Sequence, residues 1–255
     1  MDRIPFQEEL IMHRFYADPA RSSEDLVYLS DEDARHALSV LRLKEGQTVE
    51  VFRDGQRYEA EIISAGRDGV CVKPLSLLPS TEASLSITLF QGLPKSDKMD
   101  FIVQKAVELG VSRIVPVIMN RCVVKLNPKD ASHKLERWRK IAREAGKQCG
   151  RCIIPEITEP CSLSRLPSLS FLPGLNIVPW EESEGTGPLA FSRSHPAPAS
   201  LGILIGPEGG IDRDEIALLR QAGFIPVTLG KRILRTETAG LAAVASLMAL
   251  YGEME

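Results

Sequence analysis

The 255-residue sequence contains no run of eighteen or more apolar positions, so no segment has the length of a membrane-crossing helix. Cysteine is scarce. Five residues, at 71, 122, 149, 152 and 161, form an odd set far below the density of a disulfide scaffold, which points to a reducing compartment. Only four histidines occur, and none stands with a serine or cysteine in a nucleophile motif, so acyl transfer has little support. The chain also lacks G-x-G-x-x-G after a strand, G-x-x-x-x-G-K-[ST] and H-E-x-x-H, which disfavours a dinucleotide site, a P-loop and a zinc protease. Neither sign of charge dominates, the net being -3. The start, MDRIPFQEEL, carries acids and a proline where a signal peptide needs a basic region and an apolar stretch. The expectation is a cytoplasmic protein without membrane or metal.

What is present is an ordinary globular composition, 44% hydrophobic and 25% charged, with enough chain for one large domain or two smaller ones. The distribution of charge says more than its total. Between Arg121 and Arg151 there are ten Lys or Arg against three acids, whereas residues 1–60 hold eight bases and thirteen acids. A basic segment of this kind is either a solvated helix face with i,i+4 pairs or a surface for an anionic partner.

Residues 1–78 read as mostly strand. The runs QTVEVF, RYEAEIIS and VCVKPL are separated by Asp54-Gly55 and Asp68-Gly69, a strong hairpin signal that predicts a small antiparallel barrel or sheet. One short helix, DEDARHALSVLR, follows Ser30 as N-cap. The segment 76–84 has linker composition. From 84 to 255 strands alternate with helices, including a helix over SDKMDFIVQKAVELG with Met99, Ile102, Val103, Ala106 and Val107 inward and Gly110 as stop, and a basic helix over 131–148. That alternation predicts an α/β parallel sheet, with ligands beyond the carboxyl ends of its strands. Residues 183–200 show no periodicity and are expected to be a mobile surface loop.

Three stretches end apolar strands: PWEES, GPEGG and GKRILRTE. In IGPEGG, Pro207 fixes a turn and Gly209-Gly210 allow positive φ and close approach of a ligand to the backbone. Such a loop suits the edge of an adenine, a phosphate, or a plain strand-to-helix turn with Asp212 and Glu215 as caps. In LGKRILRTETAG, Thr236 or its neighbour is a candidate cap for the last helix. Capping does not explain Lys231, Arg232 and Arg235, because a helix N-terminus disfavours positive charge. Cations there should face an anion. The small residues after Ala239 would let another backbone pack closely, within the chain or across a dimer. Cys149-Gly-Arg-Cys152 is a C-x-x-C, a spacing open to zinc binding or to cycling as a dithiol, with Arg151 placed where a cation can lower a thiol pKa. With no second ligand pair for zinc, it reads as two unpaired cysteines.

HRFY, KSDKMDFIVQKAVELGVSRIVPV, ERWRKIAREAGKQCGRCIIPEI, LIGPEGGIDRDEI and LGKRILRTETA resemble, in order and spacing, the RsmE family of small-subunit ribosomal RNA uridine-N3 methyltransferases. The resemblance implies an N-terminal PUA-like β-barrel that binds RNA and a C-terminal SPOUT-type domain with a trefoil knot. It implies S-adenosyl-L-methionine as methyl donor, 16S rRNA as partner and a homodimer formed through the knotted domain. Carried over by motif, the donor would be held by Val178 and Glu181, by Leu204, Ile205, Gly206, Pro207, Glu208 and Gly209, and by Leu229, Gly230, Ile233 and Leu234. Arg235 is expected to stabilise the uracil anion, with Glu237 as proton acceptor or as the group that holds Arg235. RNA contacts are expected from Arg14 and Arg42 and from Arg121, Lys134, Arg137, Arg143, Lys147 and Arg151. Two rivals are a non-catalytic RNA-binding assembly factor and an enzyme using GPEGG as a phosphate nest. A tRNA or ribose 2′-O acceptor is a further alternative within the methyltransferase class.

Overall fold

The computed structural model describes residues 12–255 apart from Leu126 and Ala197; the acidic start of the chain lies outside the described residues. The chain divides into two compact units, Met1–Glu82 with Lys147–Ile153, and Ala83–Gly146 with Ile154–Glu255.

The first unit contains β1 (Arg14–Tyr16), β2 (Val27–Tyr28), α1 (Asp31–Ser39), β3 (Thr48–Arg53), β4 (Gln56–Gly66) and β5 (Gly69–Leu78). Its sheet runs β1-β3-β4-β5-β2, and a single bridge between Ala17 and Leu29 brings the two edges together, giving a half-barrel. Asp54 and Gly55 form the two-residue loop of the first hairpin, both with positive φ, as a type I′ turn requires. The second hairpin turns at Arg67-Asp68, and Gly69 already pairs with Gly66. Register shifts at Glu59/Ala60 and Ile62/Ser64 bend β4 against β5. The sheet is not wholly antiparallel: β1 runs parallel to β3. Phe15, Leu29, Val51, Ile62 and Val72 fill the interior together with Ala34 and Ala37 of α1.

The second unit follows an α/β path: β6 (Ser86–Gly92), α2 (Lys98–Glu108), β7 (Arg113–Ile118), α3 (Pro128–Cys149), β8 (Glu156–Ile157), β9 (Cys161–Ser162), β10 (Asn176–Pro179), α4 (Pro188–Ser194), β11 (Ser200–Ile205), α5 (Arg213–Gln221), β12 (Phe224–Val227) and α6 (Thr236–Leu250). The sheet order is β12-β10-β11-β6-β7-β8, with β9 also on β7, and every pairing is parallel. Because β12, β10 and β11 are neighbours running the same way, the turns that follow them leave the same edge of the sheet. Phe90, Val115, Val178, Leu204 and Phe224 belong to the core beneath that edge.

One expectation needs correction. Residues 183–200 are not a structureless loop: they contain α4, whose Phe191 is buried and stacks on His195. The Tyr251 hydroxyl donates to the His195 carbonyl at 2.8 Å and fixes the end of that segment. Of Thr236 and its neighbour, the neighbour Arg235 takes the N-cap position of α6, without a side-chain cap bond. No described helix is long and apolar enough to cross a membrane.

Candidate active site

A cavity of about 490 Å³ opens where the turns after β10, β11 and β12 meet. That size suits a ligand of a few tens of atoms, within the roughly 300–1,000 Å³ of ordinary small-molecule sites. One wall is Pro179, Trp180 and Glu181, a second is Ile205–Glu208 with Gly210 and Ile211, and a third runs from Thr228 to Arg235. Of the donor-binding residues expected from sequence, Glu181, Ile205, Gly206, Pro207, Glu208, Leu229, Gly230, Ile233 and Leu234 line it. Val178 and Leu204 do not. Both are fully buried strand residues, since the alternating side of a strand that meets the core cannot also meet the cavity. Gly209 also turns away, towards Arg121. Thr228 and Thr236 line the cavity without having been singled out as donor contacts; both adjoin the quoted strand ends.

Glycine is required here by close approach. A Cβ on Gly206 would lie 2.6 Å from Ile211 Cγ1, and one on Gly209 would lie 2.8 Å from Arg121 Cβ. Gly92, at the end of β6, backs onto the same loop, where a Cβ would meet Pro207 N at 2.7 Å. Gly210 and Gly230 both have positive φ, so the two loops present backbone rather than side chains to the space between them.

Behind the cavity a short polar chain ties the turns together. Buried Gln91 donates through Nε2 to Thr236 Oγ1 at 2.9 Å, and the Thr236 hydroxyl donates to the Gly206 carbonyl at 2.7 Å. Thr236→Val keeps the shape but strands a buried donor and acceptor, which costs about 1–3 kcal/mol. Denaturant unfolding is expected to read a loss of that size; a change under about 0.5 kcal/mol, the range of an inert surface substitution, would contradict the assignment.

Electrostatically the cavity is divided. Glu208 accepts from the Lys95 N–H at 3.0 Å and pairs with Lys98 at 3.1 Å. Burial pushes its carboxyl up, but its own N–H, that of Lys95 and the Lys98 ammonium outweigh burial and hold it below the ordinary range. Glu237 pairs with the same Lys98 at 3.1 Å. Burial acts upward there too, and the helix N–H and Lys98 prevail, so its carboxyl is also lowered. Among the described residues Lys231, Arg232 and Arg235 make no ion pair, and all three are exposed at the cavity mouth. The Gly210 N–H is spent on the Pro207 carbonyl at 2.9 Å, Pro207 has no N–H, and the loop carries the Glu208 carboxylate. This is a poor nest for a phosphate.

The expected RNA contacts separate into two groups. Arg14 bonds Glu50 and donates to the Gln148 carbonyl. Lys147 pairs at 2.8 Å with fully buried Asp33, and Arg151 pairs with Glu82, both nearly buried. These three cations have partners within the first unit, which leaves them less charge to offer RNA. Arg121 donates to the Gly209 carbonyl at 2.9 Å and braces the loop lining the cavity. Arg137 is exposed and pairs with Asp100, Arg42 is exposed with φ 55°, and Lys134 and Arg143 are half-exposed. Lys129, Arg139 and Lys140 add exposed charge to α3, whose inner face buries Leu135, Trp138 and Ala142.

Cys149 and Cys152 form no disulfide. Burial, then the nearby Glu82 carboxylate, push the Cys152 thiol up to about 11, the opposite of the lowered value expected beside Arg151. Among the described residues no cluster of His, Cys, Asp or Glu is arranged to hold a metal ion.

Comparison with known proteins places this architecture. An RNA methyltransferase domain family matches residues 81–248, and an RNA methyltransferase PUA domain matches residues 29–75. The chain is 36% identical over 225 residues to ribosomal RNA small subunit methyltransferase E of Bacillus subtilis, covering 86% of this chain and 88% of that protein. With its namesake from Aquifex aeolicus it shares 32% identity, covering 93% and 99%. A crystal structure of ribosomal RNA small subunit methyltransferase E from Neisseria gonorrhoeae bound to S-adenosyl methionine superposes with a TM-score of 0.83 at 34% identity, covering 96% of this chain and all of that one. The half-barrel, the parallel sheet with its strand-end cavity and these matches lead to one conclusion: the chain belongs to the RsmE family of ribosomal RNA small-subunit methyltransferases.

Proposed function

We propose that the protein methylates N3 of a uridine in 16S rRNA of the small ribosomal subunit, using S-adenosyl-L-methionine held in the strand-end cavity. The observation that carries this reading is the cavity itself: glycine-backed walls of the right volume, with three unpaired cations at the mouth beside a helix N-terminus. A relative bound to S-adenosyl methionine supports the donor, and the names of the relatives support the RNA.

The residues present fit such a donor. The Gly206, Gly210 and Gly230 backbones and Ile205 suit an adenosyl group, and Glu181 offers an anion to its cationic end. When bound, S-adenosyl-L-methionine supplies an electrophilic methyl group. The chain's part is positioning and electrostatics. Arg235, at the start of α6, faces the mouth, where its guanidinium is suited to stabilise negative charge spreading onto the uracil carbonyls. Lys231 and Arg232 are suited to the flanking phosphates. The uridine must leave its stack to reach the cavity. Glu237 is spoken for by Lys98, so its role as a proton acceptor loses support, since a base works best with a pKa near the working pH.

The domain reading is residues 1–78 as a PUA-like RNA-binding module and 84–255 as a SPOUT methyltransferase domain, with its C-terminal segment passed through a trefoil knot and paired across a homodimer. The compartment is the cytoplasm. The exposed face of α3 is the RNA surface. Replacing Lys129, Arg137 and Arg139 with Gln together is expected to weaken RNA binding and to shallow the slope of log affinity against log salt by about 0.7–0.9 for each phosphate that is no longer neutralised. An unchanged slope in filter binding would place the RNA elsewhere.

Calorimetry tests the donor site directly. One S-adenosyl-L-methionine should bind per chain, undisturbed by excess ATP. Displacement by ATP would favour a phosphate enzyme, and no heat at millimolar donor would favour an assembly factor.

A further inference from the structure

Lys98 is the first residue of α2, outside the three turns that line the cavity, yet its ammonium sits 3.1 Å from Glu208 Oε1 and 3.1 Å from Glu237 Oε2. Glu208 belongs to the loop after β11, one donor wall. Glu237 lies in the first turn of α6, two residues beyond Arg235. No other cation pairs with either carboxylate among the described residues. Two carboxylates sharing one close partner repel each other, and without a cation between them one would take up a proton. The pair raises the Lys98 ammonium, through Glu237 first and Glu208 second, so Lys98 stays charged at any working pH.

We propose that Lys98 is a positioning residue that clamps the donor-binding loop to the start of the helix carrying Arg235, so that donor affinity and the aim of the arginine at the acceptor base are set by one contact. The clamp rests on the reading of the cavity as a methyl-donor site. It is distinct from the Gln91–Thr236–Gly206 chain, which joins the same two segments through neutral hydrogen bonds on the buried side. The neutral chain fixes the backbones. The charged clamp sets where the two carboxylates lie, and with them the field around Arg235, which also acts on Glu237. It also gives the acid in the first turn of α6 a partner: among the described residues Glu237 makes no ion pair with Arg235 and receives Lys98.

The test compares Lys98→Met, Lys98→Arg and the parent protein. Donor binding by the parent is measured first, so that failure of the donor-site reading is seen separately from failure of the clamp. In ligand-free protein, carbon-13 NMR of the glutamate carboxyls should show Glu208 and Glu237 titrating at higher pH in Lys98→Met and near their parent values in Lys98→Arg. In turnover assays Lys98→Met should raise the donor Kd and lower kcat, each by about tenfold or more, and move the acid limb of the kcat profile to higher pH; Lys98→Arg should recover most of both. Should Lys98→Met not fold, Glu208→Gln serves instead: Lys98 then has one partner, and the Glu237 carboxyl should titrate lower than in the parent. Carboxyl titrations that do not respond to these changes overturn the proposal. So does a Lys98→Met protein whose donor Kd changes while its kcat stays within twofold of the parent.

Discussion

Arg235→Ala is expected to lower single-turnover methylation by about 10²–10³-fold, the usual cost of removing one preorganised donor aimed at developing charge, while the donor Kd changes by no more than a few fold. The separation follows from where the residue stands. Its backbone belongs to the N-cap of α6, with the Arg235 carbonyl accepting from Thr238 and Ala239 at 2.9 and 2.8 Å, and those bonds survive truncation of the side chain. The guanidinium is exposed at the cavity mouth and makes no ion pair among the described residues, so its loss leaves no buried group stranded. Arg235→Lys should recover only part of the rate, because an ammonium is a point charge and lacks the planar fork that spans two acceptors. A turnover near that of the parent under saturating substrates would remove Arg235 from the chemistry.

Lys147→Met should unfold the first unit more easily by about 3 kcal/mol or more, the scale seen when one partner of a buried ion pair is removed. Asp33 is completely buried and accepts from the Tyr16 N–H at 2.8 Å as well as from Lys147; the side chain of Lys147 is itself only 13% exposed. For a domain under 100 residues each kcal/mol moves Tm by about 4–8 °C, so a calorimetric scan should resolve a drop of more than about 10 °C. Adding Asp33→Asn should restore a good part of it, since the buried charge is then gone with its partner. If Lys147 were instead an open RNA contact, Lys147→Met would leave Tm nearly unchanged and weaken RNA binding in folded protein.

The contrast between Lys147 and Arg235 shows what a single sequence carries. Signals that are local were legible. Asp54-Gly55 turns a hairpin because an aspartate followed by glycine tolerates two positive φ values cheaply. Met99, Ile102, Val103, Ala106 and Val107 all face inward on α2, as helical spacing requires. The strand-end rule brought the GPEGG and GKRILRTE turns towards one place because β10, β11 and β12 are parallel neighbours. What stayed hidden depends on partners far along the chain. Lys147 and Asp33 are 114 positions apart, and nothing local to a lysine on a basic helix tells whether its end meets a buried carboxylate or water. The same holds for Arg151 with Glu82 and for Lys98 with Glu208 and Glu237. The side chains of Val178 and Leu204 are buried in the core rather than among the cavity lining, a matter of one step of strand alternation: being next to the turn is not the same as facing it. The helix within 183–200 was missed because seven residues give too little periodicity to detect, and its anchors, Phe191 and the Tyr251–His195 bond, are tertiary.

The central claim is that the strand-end cavity presents a uridine N3 to a methyl donor. It is tested most directly by incubating the purified protein with small ribosomal subunits that lack the modification and S-adenosyl-L-methionine labelled in its methyl group, then digesting the 16S rRNA to nucleosides for mass analysis. The label should appear as 3-methyluridine at a single position and should be absent with Arg235→Ala. Label on a ribose 2′ oxygen, or none in the RNA while the donor is bound, would contradict the account.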